Sequence, residues 1–426
     1  MKNWDIRSEI ILNKVVIIGA GAAGLMAGIA AAENGAEVTI LEKNDRAGKK
    51  IRITGKGRCN VTSAKSLDEH IKAFAHNGKF MYTPYSALSP EETYSFFEEA
   101  GVPLKVERGD RVFPQSDNAQ DIVDALVKKC ESLGAKIVYD KAVKTLLRSA
   151  EGELLGILCA DGERISADKV IIATGGASYP GTGSSGDGYK LAKSAGHTIE
   201  MIRPALVPLV VKEDDIAKLQ GLSLRNVRLS IYDKKGKCLA EEFGEMLFTH
   251  FGLSGPVVLT VSGKVSDYFL KQNGELMAII DLKPALSAEK LDARLLREIK
   301  DQPKRSYKNL LGALLPQLLI EPFMKRSGIE PMKQSNQLTK EDRAVIIDLL
   351  KGYWFTVTAT RPLAEGIVTA GGVNVKEIMP KTMQSRLCEG LYFAGEVMDI
   401  DAVTGGFNLQ AAFSSGYLAG KSAAEV

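Results

Sequence analysis

Three glycines and one acid carry the first chemical signal in this chain. Gly19, Gly21 and Gly24 follow the apolar run Val15 to Ile18, and Glu42 lies 23 residues beyond Gly19. At this spacing Gly19 permits a tight turn, Gly21 lets backbone approach a pyrophosphate, and Gly24 lets a helix pack closely on a strand. The free N–H groups and positive dipole end of that helix, with Ala22 and Ala23 in its first turn, then face the phosphates. Glu42 ends the run Glu37 to Leu41 and offers a carboxylate to the ribose hydroxyls of an adenine dinucleotide. A ligand-free turn would show the same glycines, but strand, glycines, helix and acid in this order select the nucleotide.

That fingerprint fits NAD as well as FAD. Three later features favour FAD. Ala173-Thr174-Gly175-Gly176 closes an apolar run and allows close backbone approach. Leu391 to Ala394 runs into Gly395-Glu396, where a carboxylate can bind a ribityl hydroxyl. The turn Thr404-Gly405-Gly406-Phe407-Asn408 opens an Ala/Ser/Gly-rich helix from about Leu409 to Ala424. Its N-terminus, near Asn408 and Leu409, can point at the flavin N1–C2=O edge, where a helix dipole favours negative charge. Singly, each is an ordinary turn or cap. NAD-only dehydrogenases have no need of the last two.

Several side chains are candidates for catalysis. Cys59 follows Arg58 in the basic, glycine-rich loop Arg46 to Thr62, and a neighbouring cation lowers a thiol pKa. With no second cysteine in that loop, a packing role is the stronger reading. His250, flanked by Phe248 and Phe251, is either a proton donor on an insert loop or a structural histidine. Tyr179 and Asp187 sit in a Pro/Gly/Ser loop of the kind that lines active sites, although Asp187 can equally cap a helix starting near Tyr189. Arg203 and Arg361, each before a proline, can bind a substrate carboxylate or form ion pairs. The catalytic group itself stays unassigned, and Cys59, His250 and Tyr179 are its candidates.

The elements that must position these residues follow from periodicity. A helix is expected over Pro90 to Gly101 with Ser89 as N-cap, and another over Ala119 to Leu133. Lys136 to Tyr139 and Lys169 to Ala173 read as strands, with a meander of Ala142 to Leu147, Leu155 to Ala160 and Arg164 to Ala167 between them. Beyond Arg203-Pro204, strands are expected at Leu206 to Val211, Val227 to Tyr232, Cys238 to Phe243 and Tyr353 to Thr360. Helices are expected at Ser287 to Lys300, Ser306 to Leu315 and Thr339 to Lys351, the last capped by Thr339 with Asp342.

Val15 to Ala32 contains no charge and follows Lys2, Arg7 and Lys14, so it imitates a signal peptide or short membrane span. Its four glycines suit a buried strand and helix better, so no membrane association is expected. A chain of 426 residues suggests two or three domains. A net charge of +3 is too mild to make nucleic acid the main partner. Five cysteines without a CxxC pair and four dispersed histidines support neither a zinc site nor a redox disulfide. The expected setting is a reducing cytoplasm, and the oligomeric state is left open.

The segments GKGRCNVT (55–62), GEMLFTHFGLSGP (244–256), TAGGV (369–373) and LYFAGEVMDIDAVTGGFNLQAAFSSG (391–416) resemble the aminoacetone-oxidase-like, BaiN-like family of NAD(P)/FAD-dependent oxidoreductases. The resemblance runs from about residue 14 to 422. It implies an α/β fold, a Rossmann-like FAD-binding domain interrupted by an insert made of a β-barrel and a small helical bundle. The expected division is 1–200 plus 363–426 for the FAD domain and 201–362 for the insert. Within the insert, the barrel takes about 201–283 and 353–362 and the helical part about 284–352. The resemblance also puts Lys43, Gly55, Arg58, Cys59 and Asn60 near the cofactor and Val143 near its adenine; Gly48 and Lys49, in the same basic loop, are expected to bind the cofactor with them. Ser185-Gly186-Asp187-Gly188 is similar to the glycine-aspartate-glycine loop of fumarate-reductase-like flavoproteins. The expected activity is hydride transfer between a small organic substrate and flavin, the substrate entering a cleft between FAD domain and insert because domain interfaces are the usual pocket locations. Reduction of an activated C=C bond (an enone or bile-acid-like compound) with NAD(P)H comes first, and oxygen-dependent amine oxidation second. A flavin-binding redox sensor or RNA-interacting flavoprotein is the alternative of another class.

Overall fold

The structure is a computed structural model that describes residues 13–425; Lys2 and Arg7 lie outside them. The chain divides into two compact units, one running to Arg203 and resuming at Ile367, the other Pro204–Gly366.

The first unit is built on a five-stranded parallel sheet. In spatial order its strands are Leu391–Phe393, Lys169–Ile172, β1 (Lys14–Ile18), β2 (Glu37–Leu41) and Lys136–Val138. β1 is central and covered on both faces, so Val15 to Ile18 form an unbroken buried run rather than an alternating one. Between β1 and β2 lies α1 (Ala22–Glu33), buried on all sides over residues 22–31. One side meets the sheet and the other the C-terminal helix (Phe407–Ala424), which is why α1 has no polar face. The contact is backbone-close. A Cβ on Gly416 would lie 2.2 Å from the Ala23 carbonyl oxygen, and one on Gly420 2.1 Å from that of Ala27. The uncharged stretch at 15–32 is thus a core strand and helix. Among the described residues, no helix is long and apolar enough to cross a membrane. A three-stranded antiparallel meander (Val143–Arg148, Leu154–Cys159, Arg164–Ser166) sits apart from the parallel sheet.

The second unit contains a closed antiparallel barrel in the order Leu209–Val211, Gly252–Ser254, Cys238–Thr249, Ser223–Tyr232, Leu276–Asp281, Tyr353–Thr360. Helices Ala288–Asp301, Tyr307–Leu311, Gln317–Ser327 and Lys340–Lys351 accompany it. Thr339 and Asp342 form the capping box expected of them. Three sequence-based assignments need correction. The strand expected at Leu206 to Val211 is interrupted: strand Ile199–Ala205 ends, Leu206 adopts a φ of 51°, and pairing resumes at Leu209. The helix expected at Ser306 to Leu315 stops at Leu311. The stretch Pro256–Lys271, rich in β-branched valine, is a helix that sequence reading left unassigned. Its Val257, Val258, Val261 and Val265 share one buried stripe, and Pro256 occupies the first turn.

Candidate cofactor and active site

The glycine turn after β1 is held without side-chain caps. Gly19 has a φ of 106°, and its N–H donates to the Leu41 carbonyl at 2.8 Å. A Cβ on Gly24 would lie 1.8 Å from the Gly19 carbonyl oxygen, so helix and turn touch through backbone. Gly21 differs from both. Its φ of −88° suits any residue, and a Cβ there would meet nothing within 4 Å. Neither conformation nor packing within the chain calls for glycine at 21. A ligand brought against the backbone would. Gly21 begins α1 and Gly406 (φ 97°) begins the C-terminal helix, and neither terminus carries a side-chain cap. The first N–H groups of both helices therefore have no intrahelical partner.

Glu42 is 8% exposed. Its Oε2 accepts from Ala20 N–H at 2.9 Å, and its Oε1 from Asn44 N–H at 2.9 Å and Asn44 Nδ2 at 2.6 Å. Three donors leave one of about four carboxylate acceptor positions for a ribose hydroxyl. Glu396 is arranged alike: Lys50 Nζ lies 2.6 Å from Oε2, while Oε1 accepts from Thr369 N–H at 2.7 Å and Ser178 Oγ at 3.2 Å. The Gly395 turn (φ 73°) is wedged between the two helices; its N–H donates to Ser415 Oγ at 2.9 Å, and a Cβ there would meet Ala23 Cβ at 2.9 Å. Thr174, Gly175 and Gly176 are equally tight. A Cβ on Gly176 would lie 2.3 Å from Thr369 Oγ1, and one on Gly188 2.0 Å from Thr174 Oγ1.

The loop Arg46 to Thr62 is more ordered than its composition suggests. Gly48 (φ 67°) donates to the Ala20 carbonyl at 2.9 Å and starts a short helix, Lys49–Ile53, followed by left-handed Gly55 and Lys56. The Lys49 ammonium pairs with Asp45 at 2.8 Å. The Asn60 amide donates to the carbonyls of Thr62 and Val112 and accepts from Gly406 N–H at 3.0 Å, tying this loop to the second helix terminus. Arg58 pairs with Glu107 and Asp117 and covers the Phe113 ring at 4.2 Å. Its charge is therefore spent on those carboxylates. Cys59 is wholly buried, and burial pushes its thiol up to about 12. Burial thus favours the packing reading of Cys59 over the activated-thiolate alternative. Alkylation of the folded protein should modify Cys238, the one exposed cysteine, and spare the other four, as mass spectrometry would show.

One further expectation changes. The C-terminal helix starts at Phe407, not near Leu409. The Asn408 side chain accepts from Ala402 N–H at 2.9 Å and donates to the Ala402 carbonyl at 2.8 Å, which leaves the backbone of this helix end for a ligand. Phe407 rests edge-on against the buried His70, 4.9 Å between centroids. Asp187 is the first residue of helix Asp187–Ser194, 2.6 Å from Lys43 Nζ and 2.7 Å from Ser185 Oγ. Val143 begins a meander strand. Tyr179 has a φ of 50° and heads a short 3-10 turn. In the second unit, His250 is exposed beside Phe251, and Arg361 pairs with Glu365. Sequence reading passed over Asp399, Asp401, His76, Asn77 and Tyr189, which the fold gathers near the Gly395 turn. Two aspartates between the glycine turns at 395 and 405–406 were the signal available.

These observations test the fit of a dinucleotide: a glycine at 21 that nothing within the chain calls for, two uncapped helix ends and two acids each with an acceptor position left. The residues fit FAD. Such a site on such a sheet defines an FAD-dependent oxidoreductase of Rossmann type. More narrowly, residues 13–422 match the family described as HI0933-like protein Rossmann domain, and the chain belongs to it. A 3-dehydro-bile acid delta(4,6)-reductase of Clostridium scindens is 34% identical over 419 residues, covering 97% of this chain and all of that one. A ribosomal RNA dihydrouridine synthase of Escherichia coli K12 is 32% identical over 405 residues, 94% of this chain and 96% of that one. A 3-ketosteroid delta1-dehydrogenase of Sterolibacterium denitrificans shares the fold, with a TM-score of 0.54 at 12% identity, over 97% of this chain and 99% of the other.

Proposed function

We propose that this protein reduces a C=C bond conjugated to a carbonyl in a small organic substrate, with NAD(P)H as reductant. The observation that carries it is the full-length likeness to a reductase named for the delta(4,6) bonds of a 3-dehydro bile acid. Saturating uridine to dihydrouridine, the reaction another relative is named for, is also reduction of a C=C bond beside a carbonyl. The flavin, when bound, supplies hydride transfer at N5. The chain supplies the rest. Gly19, Gly21, Gly24 and the first turn of α1 would hold the pyrophosphate, Glu42 the ribose and Glu396 the ribityl chain. The Gly406 end of the last helix would hold the ring edge that gains negative charge. Substrate recognition is assigned to the inserted unit as part of the same proposal.

RNA is the second reading, favoured by the dihydrouridine synthase likeness and opposed by the mild net charge. Anaerobic mixing separates the readings. NAD(P)H should bleach the flavin, and a 3-oxo-4-ene steroid should restore its colour. Restoration by uridine-containing ribosomal RNA alone would transfer the reading to RNA. Bleaching by aminoacetone without NAD(P)H would make the protein an amine oxidase. A flavin that no small molecule reoxidises would leave the redox-sensor reading. Glu42→Ala and Glu42→Gln should each weaken FAD binding at least tenfold, about 1.4 kcal/mol. Full flavin occupancy in both variants would refute the ribose assignment.

A further inference from the structure

Between the Gly395–Glu396 turn and the start of the last helix, side chains remote in sequence converge on two aspartates. Asn77 Nδ2 donates to Asp399 Oδ2 at 2.8 Å and to the Asp399 carbonyl at 2.7 Å, and Asp399 N–H donates to the Val373 carbonyl at 3.0 Å. The other carboxyl oxygen, Oδ1, makes no hydrogen bond among the described residues. Beside it, His76 Nδ1 lies 3.0 Å from Asp401 Oδ1, and Arg203 Nη2 lies 3.3 and 3.5 Å from the two imidazole nitrogens. On the adjoining helix, Tyr189 Oη is buried with no hydrogen-bond partner, within the electrostatic reach of both Glu396 and Asp399. Burial raises the Asp399 pKa, the Asp401 carboxylate adds to the rise, and Asn77, His76 and Arg203 offset only part of it.

We propose that Asp399 is the general acid of the reduction, held at one oxygen by Asn77 and delivering its proton from the other. This rests on the reading of a conjugated C=C substrate. In that reaction the π bond breaks and two C–H bonds form. The hydride, with both electrons, goes to the carbon β to the carbonyl, and the electron pair originates in NAD(P)H. The proton goes from Asp399 to the α carbon, and the resulting carboxylate is reprotonated from water before the next turnover. The orphaned Tyr189 hydroxyl, within electrostatic reach of Asp399, is a donor left over to receive a further polar group.

The acid form is the active one, so the rate falls as pH rises through the Asp399 pKa. Folding follows the same sign. The folded state holds this proton more tightly than the unfolded chain. Its contribution to stability is therefore lost as pH rises from the ordinary carboxylate range through the raised value.

The test uses full-length, FAD-loaded protein for both half-reactions and apoprotein for melting. Asp399→Asn should bind FAD and be bleached by NAD(P)H as the wild type is, yet be reoxidised by the steroid enone about 10²–10⁴-fold more slowly. Asp399→Glu, which keeps an acid, should recover part of that loss. The Asn variant's apoprotein should lack the fall in melting temperature with rising pH that the wild type shows. An Asn variant with wild-type reoxidation rate and pH profile overturns the assignment. So does a slow variant whose rate returns fully at saturating FAD, since Asp399 would then only hold the cofactor. A wild-type protein that is bleached but that no enone reoxidises sinks the substrate reading and this assignment with it. In that case the melting curves still report whether Asp399 holds a proton.

Discussion

Gly21→Ala is expected to abolish retention of FAD through purification while leaving the apoprotein folded and about as stable as wild type. The site at 21 has a φ of −88° and open space where a Cβ would project. Alanine there incurs no conformational strain and no clash within the chain, and at a helix N-cap it costs less than about 1 kcal/mol. On the proposed assignment of this turn to the pyrophosphate, its methyl group would instead occupy the surface meant for that group. We expect FAD affinity to fall by at least about a hundredfold, roughly 2.7 kcal/mol. Gly24→Ala should do the reverse in order of cause. Its Cβ would stand 1.8 Å from a backbone oxygen, so the fold itself should lose about 1–3 kcal/mol and FAD binding should fall as a consequence. Flavin fluorescence titration and apoprotein melting, read together, separate the two. A Gly21→Ala protein that binds FAD normally would show that the glycine turn is structural.

The contrast between these glycines also marks how far sequence could be read. Spacing alone identified β1, its turn, α1, β2 and Glu42, because all of that information lies within about thirty residues and in one repeating pattern. It also suggested that the last strand and helix complete the site, yet the pairing of Leu391–Phe393 with Lys169–Ile172 is set by packing across more than two hundred residues. Pro256–Lys271 escaped because valine favours strands locally, and only burial of one stripe makes it a helix. Cys59 was tempting because Arg58 adjoins it in sequence, whereas in space that guanidinium turns to Glu107 and Asp117. Asn77 meets Asp399 across 322 positions, so no local pattern announces the pair.

The second large effect is expected far from any reacting atom, on the contact between the last helix and α1. Gly416 and Gly420 are four residues apart, hence on one face, and each puts its missing side chain against a carbonyl oxygen of α1. Leucine is a far better helix former than glycine, by close to 1 kcal/mol, so propensity alone would make Gly420→Leu stabilising. Contact should outweigh it. The Cβ would fall 2.1 Å from the Ala27 oxygen, a backbone atom that can yield only if the helices part, and the rest of the side chain enlarges the conflict. Overpacking of this kind costs about 1–3 kcal/mol or more, so a net loss of stability is expected. Gly263→Ala in the inserted unit is the control, since it gains helix propensity and meets nothing within 4 Å. It should raise stability by up to about 1 kcal/mol. Parting the helices would also shift Gly395 and Gly406, which the last helix holds in place, so Gly420→Leu should weaken FAD binding without touching any residue that faces the cofactor. Apoprotein melting and flavin titration test both parts. A Gly420→Leu protein that melts at or above the wild-type temperature would mean that the two helices do not lie this close, and that the ends of the chain are not held together in the way that a shared FAD site requires.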